Sequence, residues 1–156
     1  MKPMILVTAP VQTRSGYGNH ARDICRALIE SDKYDVKIQS VPWGSTPMTA
    51  LDSNDPSHNE IQKRILRQPS LSKQPELHLH IVIPNEFRQF GKKNVGMTAG
   101  IEASIPPAEW IQGCNRMDMT IFTSEFSKFV FENVGFDQLD NNTKQVVGQL
   151  KLDFCF

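Results

Sequence analysis

Gly16-Tyr17-Gly18-Asn19-His20-Ala21 fits the pattern G-x-G-x-x-A. Glycines let a backbone approach a ligand closely, and a helix that starts behind them presents free N–H groups to an anion. Two details count against a dinucleotide fingerprint. There the first glycine sits in the tight turn that ends the strand, whereas here about seven residues intervene. An acidic residue should also end the second strand and hold a ribose hydroxyl, and this chain has Gln39, Ser40 and Val41 there. No Gly-Lys-Ser/Thr follows the glycines, which excludes a P-loop. The motif is left with two readings: a contact for an anion or sugar phosphate, or a tight turn before a helix.

Other residues carry chemistry in the same two-sided way. His20 can contact phosphate or sugar, or be a solvated residue of the first helical turn. Trp43 can stack on a sugar face from a long loop, and Glu86, just past a strand, can bond acceptor hydroxyls or be a solvated loop acid. His78 and His80 alternate on one strand face, where two imidazoles can hold a metal, but no third ligand is evident and a partly exposed or helix-covered sheet face fits better. Trp110 shares helical spacing with Cys114 and reads as core, while Ser124 reads as a helix cap.

The elements that must position these residues alternate. Met4 to Thr8 is an unbroken apolar run, as a strand buried on both faces requires. From Asn19 the period becomes helical, with Ala21, Ile24, Cys25, Leu28 and Ile29 on one side and Arg22, Asp23, Arg26 and Glu30 on the other. A second strand, residues 34–41, leads into a long polar loop, 42–57, and a modest helix over 59–67 with Ile61 and Ile65 inside. Residues 77–83 form a strand closed by Pro84, and 94–98 a weaker one. Pro106-Pro107 start a helix with Trp110, Ile111 and Cys114 inside. A strand over 117–122 precedes a helix with Phe126, Phe129 and Val130 inside and Gly135 at its end. Pro69 and Pro75 bracket a loop, and the tail alternates Leu150, Leu152, Phe154 and Phe156 with polar residues or cysteine, as a half-buried strand does. Strand–helix alternation predicts an α/β, Rossmann-like three-layer sandwich with a mostly parallel sheet, whose ligands bind at the strands' carboxyl ends.

Composition narrows the class further. The chain has 156 residues, which fits one domain over 1–156, and needs no disulfide or metal to fold at that size. Lys plus Arg and Asp plus Glu are 17 each, and the basic residues are scattered, so no nucleic-acid partner is expected. Cys25, Cys114 and Cys155 lie far apart with no C-x-x-C spacing, which points away from zinc and towards a reducing, cytoplasmic setting. No stretch is long and apolar enough for a signal core or a membrane span.

The segment from Thr98 to Gly135 carries a resemblance. A strand leads to Glu102; Pro106-Pro107 and Trp110 follow, then Asn115 with Asp118, a strand, Ser124-Glu125-Phe126-Ser127-Lys128 and Gly135. This order resembles the end of the N-terminal domain in retaining GT-B glycosyltransferases of the family-four type. Ser15 to Arg22 is similar to that family's glycine-rich loop. Together the matches cover a little under half of the chain. The resemblance implies an acceptor-side domain, with the nucleotide-sugar donor bound mainly by a second domain. It implies donor diphosphate near Gly16, Tyr17, Gly18 and His20, and substrate contacts at Glu102, with Glu86 and Trp43 as further candidates. No metal or resident cofactor is implied; the nucleotide-sugar is a co-substrate. The donor-binding domain is expected to lie outside these residues, so that the chain alone is inactive, or serves as a non-catalytic binding or assembly module that meets a partner domain or a second copy through its terminal strand.

Overall fold

A computed structural model describes residues 2–68 and 70–153. Strands β1 (Met4–Ala9), β2 (Asp35–Ser40), β3 (Leu77–Ile81), β4 (Lys93–Thr98) and β5 (Met119–Phe122) form one sheet in the order β2-β1-β3-β4-β5. Helices α1 (Gly16–Glu30), α2 (Pro56–Gln62), α3 (Ala108–Asn115) and α4 (Glu125–Glu132) alternate with them. The recorded pairings β1–β2, β1–β3 and β4–β5 are parallel. This is the Rossmann-like α/β three-layer class expected from the sequence. The strand order reverses between β1 and β3, which in such sheets makes a crevice at the strands' carboxyl ends.

The chain divides into two compact units, 1–82 with 89–94, and 83–88 with 95–156. In the first, every residue of β1 is buried, as its unbroken apolar run requires. Each fully buried Val or Ile there contributes about 1.5–3 kcal/mol. The register pairs Leu6 with Lys37 and His78, and Thr8 with Gln39 and His80, so these six side chains share one face. His78 and His80 are buried, with ring centroids 5.1 Å apart.

Two helices of this unit differ from expectation. α1 begins at Gly16, capped by Ser15, rather than at Asn19, so both glycines belong to its first turn. Arg22, expected outside, is buried beside Ala21 and Cys25. α2 starts earlier and ends sooner than 59–67, because Asp55 caps it and Pro56 opens its first turn. Ile61 is inside it, but Ile65 leaves the helix and bridges Ile38 at the edge of β2. There the Ile38 amide donates to the Arg64 carbonyl at 2.9 Å, and the Leu66 amide donates to the Ile38 carbonyl at 2.8 Å.

In the second unit a 3-10 turn spans Pro84–Glu86. α3 buries Ile111 and Cys114, with Trp110 half-buried against Phe131. A Cβ on Gly113 would lie 1.9 Å from the Pro84 carbonyl oxygen, so only glycine allows that approach. Ser124 caps α4 as expected, but Phe126 and Phe129 are 55% and 62% exposed and Phe131 is fully buried. The Ser127 hydroxyl donates to the Ala99 carbonyl at 3.2 Å, which sets the helix rotation so that 127, 130 and 131 face inward. Gly135 does not end α4, which closes at Asn133; it precedes β6 (Phe136–Leu139). β6 pairs antiparallel with β7 (Val146–Leu150), a hairpin that the alternating tail did not announce. Its turn is built by Asp140, whose carboxylate accepts the Asn142 amide at 2.9 Å and the Thr143 amide at 2.7 Å. The expected strand over Leu150 and Leu152 ends at Leu150, and Phe154, Cys155 and Phe156 lie outside the described residues, as does Pro69.

Candidate functional site

The chain leaves β1 through a tight, polar turn. The Thr13 amide and hydroxyl both donate to the Pro10 carbonyl, at 3.0 and 2.9 Å. The Thr13 and Ser15 hydroxyl oxygens are 2.8 Å apart. Because the Thr13 proton goes to a carbonyl, Ser15 is the donor in that pair. The Ser15 oxygen then accepts the Gly18 amide at 3.0 Å and caps α1. Gly18 is required by space: a Cβ there would stand 2.3 Å from the Thr13 carbonyl oxygen. Gly16 is exposed, and a Cβ there would meet nothing within 4 Å.

Arg22 locks this turn from inside. Its guanidinium donates to the Val11 and Thr13 carbonyls at 2.8 and 2.9 Å and to the Asn19 side chain. Burial lowers its pKa from the ordinary arginine value, though an arginine stays charged throughout the working range. Sequence periodicity put Arg22 on the outer face; the signal that could have found it is its place between Gly18, Ala21 and Cys25, which are buried on the same side of the helix. Burial pushes the Cys25 thiol up to about 12, so it is inert packing rather than a nucleophile.

The long loop after β2 folds over the turn. The Ala50 amide donates to the Gln12 carbonyl at 3.0 Å, the Arg14 amide to Pro47 at 3.4 Å, and the Arg14 guanidinium to Thr49 at 3.3 Å. Gly44, at φ +52°, turns the loop so that the Thr46 amide reaches the Trp43 carbonyl. Trp43 stacks on Tyr17, centroids 4.3 Å apart. An open depression of about 450 Å³ results, lined by Arg14, Ser15, Gly16, Asn19, Arg22 and Ala50. α1 has no acidic residue in its first turn. The positive end of its dipole and two arginines therefore give this depression the electrostatics of an anion site.

Of the nominated residues Gly16 lines this depression; Tyr17 stacks on Trp43 and Gly18 packs against the Thr13 carbonyl, and these three do not line it. His20 is half-buried in the second turn of α1 and does not line the depression. Arg14, Arg22 and Ala50 were not foreseen as site residues, whereas Asn19 falls within the glycine motif. Glu86 is exposed on the 3-10 turn after β3, and Glu102 is exposed four residues beyond the end of β4. Among the described residues no three His, Cys, Asp or Glu side chains gather as metal ligands, and no helix is long and apolar enough to cross a membrane.

Comparison with protein-family models, curated proteins and solved structures finds no match to the chain.

Proposed function

We propose that the chain is the acceptor-side, N-terminal domain of a GT-B glycosyltransferase, moving sugar from a nucleotide-sugar donor when a C-terminal donor-binding domain complements it. The observation that carries this reading is the depression at the start of α1, where an open Gly16 edge, Arg14 and the buried Arg22 converge beyond the carboxyl end of β1. Chemically this is what a leaving diphosphate needs: backbone donors and fixed positive charge that stabilise growing negative charge without rearrangement. Gly16 lines the depression, and Tyr17, Gly18 and His20 are the other donor-side candidates of this reading. Trp43, Glu86 and Glu102 are its candidates for the acceptor. The reaction so read needs no metal or resident cofactor, and a cytoplasmic setting is part of the reading, supported by three well-separated cysteines in the sequence.

The test is a thermal-shift screen against UDP, GDP, ADP and their sugars. One nucleotide at 100 times its Kd is expected to add about 2.7 kcal/mol of stability. Gly16→Leu, which meets open space, is expected to keep the fold and lose that shift. A shift that survives Gly16→Leu, or no shift with any nucleotide, removes the donor-side reading. A non-catalytic assembly module is the second reading, favoured by Leu139, Val146 and Val147, which are 55–68% exposed on the β6–β7 hairpin. Concentration-dependent self-association or capture of a partner domain, lost in Val147→Lys, is the result that this reading predicts.

A further inference from the structure

The sheet face that carries Leu6 and Gln39 is finished differently from its opposite. β2 buries Val36 and Ile38 and leaves Asp35, Lys37 and Gln39 half-buried, so one side of this sheet edge is covered and the other is open. The described residues between α2 and β3 form no helix. Leu66, Leu71 and Pro75 from that stretch stand with Phe90 around Leu6 and frame a hollow of about 460 Å³. That size lies within the roughly 300–1,000 Å³ of small-molecule sites.

The walls are held in place. Both polar groups of the Ile38 backbone are taken by the 64–66 segment, which fixes Leu66 against β2. Phe90 is 49% exposed, its ring set edge-on to the buried His78 with centroids 5.1 Å apart. The turn that presents it is pinned, since the Asn94 side chain accepts the Phe90 and Gly91 amides at 2.8 and 2.9 Å. A ring held half in solvent by a buried asparagine is ready to cover an apolar ligand without rearrangement.

The polar part of the lining is Gln39, Lys73 and Gln74, with no carboxylate among its described residues. Gln39 is oriented from behind. The Thr8 hydroxyl donates to the Gln39 side-chain oxygen at 3.4 Å, and the buried His78 Nε2 lies 2.9 Å from the Thr8 oxygen. With Thr8 donating to Gln39, His78 is the donor at Nε2. The relay occupies the Gln39 oxygen and leaves its NH2 group as a donor, and the Lys73 ammonium is a donor only. Two donors beside apolar walls call for an acceptor-only head on an apolar body, and a carboxylate is such a head.

We propose that this hollow binds a monocarboxylate with an apolar body, aromatic or aliphatic. The body lies against Leu66, Leu71, Pro75 and Phe90, and the carboxylate accepts from Lys73 and Gln39. The site stands on its own lining and does not rest on the transferase reading.

The experiment is calorimetric titration of the whole chain with naphthoate and decanoate, which separate the two kinds of body. The alcohols and amines of the same carbon skeletons keep the body and change the head. At least one carboxylate is expected to bind, and its alcohol about fivefold more weakly, the upper end for an exposed ion pair. Lys73→Gln, at an exposed position, is expected to keep the fold and remove most of the preference for acid over alcohol. Phe90→Ala is expected to weaken acid and alcohol alike by about tenfold, and Gly16→Leu to change neither. Absence of binding by both carboxylates, amines binding as tightly as acids, or affinities unaltered in both Lys73→Gln and Phe90→Ala would each overturn the assignment. So would concentration-dependent dimerisation abolished by Phe90→Ala, which would give the hollow to a second copy of the chain. Failure of the nucleotide screen leaves this result untouched, because the two sites respond to different substitutions.

Discussion

The starts of α1 and α4 use the same hydroxyl chemistry and reach opposite ends. At α1, Ser15 donates to Thr13, which donates to a carbonyl, and Ser15 accepts the amide three residues on. At α4, Ser124 donates to Ser127, which donates to a carbonyl, and Ser124 again accepts the amide three residues on. The second hydroxyl decides the outcome. At α4 it lies inside the first turn, where a Cβ on Gly100 would be 2.3 Å from the Ser127 oxygen, and Glu125 supplies the turn with its own negative charge. That start is closed and self-neutralised. At α1 the second hydroxyl precedes the cap, the first turn has no acid, and its Gly16 edge stands open. A capped helix start therefore stays open and electropositive only when the chain withholds both the covering side chain and the internal charge.

The largest test of this comparison is at the two tight glycines. Gly18→Ala forces a Cβ against the Thr13 backbone, and Gly100→Ala adds a positive φ of 78° to a clash with Ser127. Each is expected to cost about 3 kcal/mol in urea unfolding, at the upper end of overpacking effects. Equal tolerance of alanine at 16 and 18 would break the account of α1. Next is Arg22→Met, which keeps the stem and leaves the Val11 and Thr13 carbonyls without their charged donor. Its expected cost is about 2 kcal/mol, and unchanged stability would show that the lock is dispensable.

Ser15→Ala and Ser124→Ala are each expected to lose about 1 kcal/mol, the usual worth of a cap. Gly16→Glu gives α1 the first-turn acid that α4 already has. It is expected to raise stability by about 0.5 kcal/mol while abolishing any nucleotide-dependent shift. Loss of stability on that change would mean that the first turn is not electropositive. The smallest effect is pH-dependent and lies outside both starts. Bonds from Lys63 and Arg64 pull the Glu60 carboxyl from the usual 4.5 down to about 2. Because that pKa is depressed in the folded chain, its contribution is complete above about pH 4.5 and fades as pH falls towards 2. The difference in melting temperature between the parent and Glu60→Gln is expected to be small at pH 7 and to vanish near pH 2. A difference that grows in acid would contradict the ion pairs.

Elements of both units were legible in the chain. β1 shows its double burial in an unbroken apolar run, and Ser124 shows a cap by its type and place. The candidate site was legible only in part. Gly16, Tyr17, Gly18 and Trp43 could be nominated, but the Tyr17–Trp43 stack joins residues that no local pattern connects. Arg14 acquires its role from the Pro47 and Thr49 carbonyls, about 35 residues away, and a composition-based reading of that stretch as a surface loop contains no such pairing.

By itself the sequence determined the strand–helix alternation, the caps and the positions where a tight turn needs a small residue, because these depend on propensity and bonding within a few residues. Tertiary packing decided which way Arg22 faces, why Phe131 rather than Phe129 fills the interior, and that the loop after β2 walls the start of α1. Those outcomes turn on carbonyls and cavities supplied by distant segments. A buried hydrogen-bond donor or a close-packed helix face takes its energy from what lies opposite, and only the folded chain supplies that.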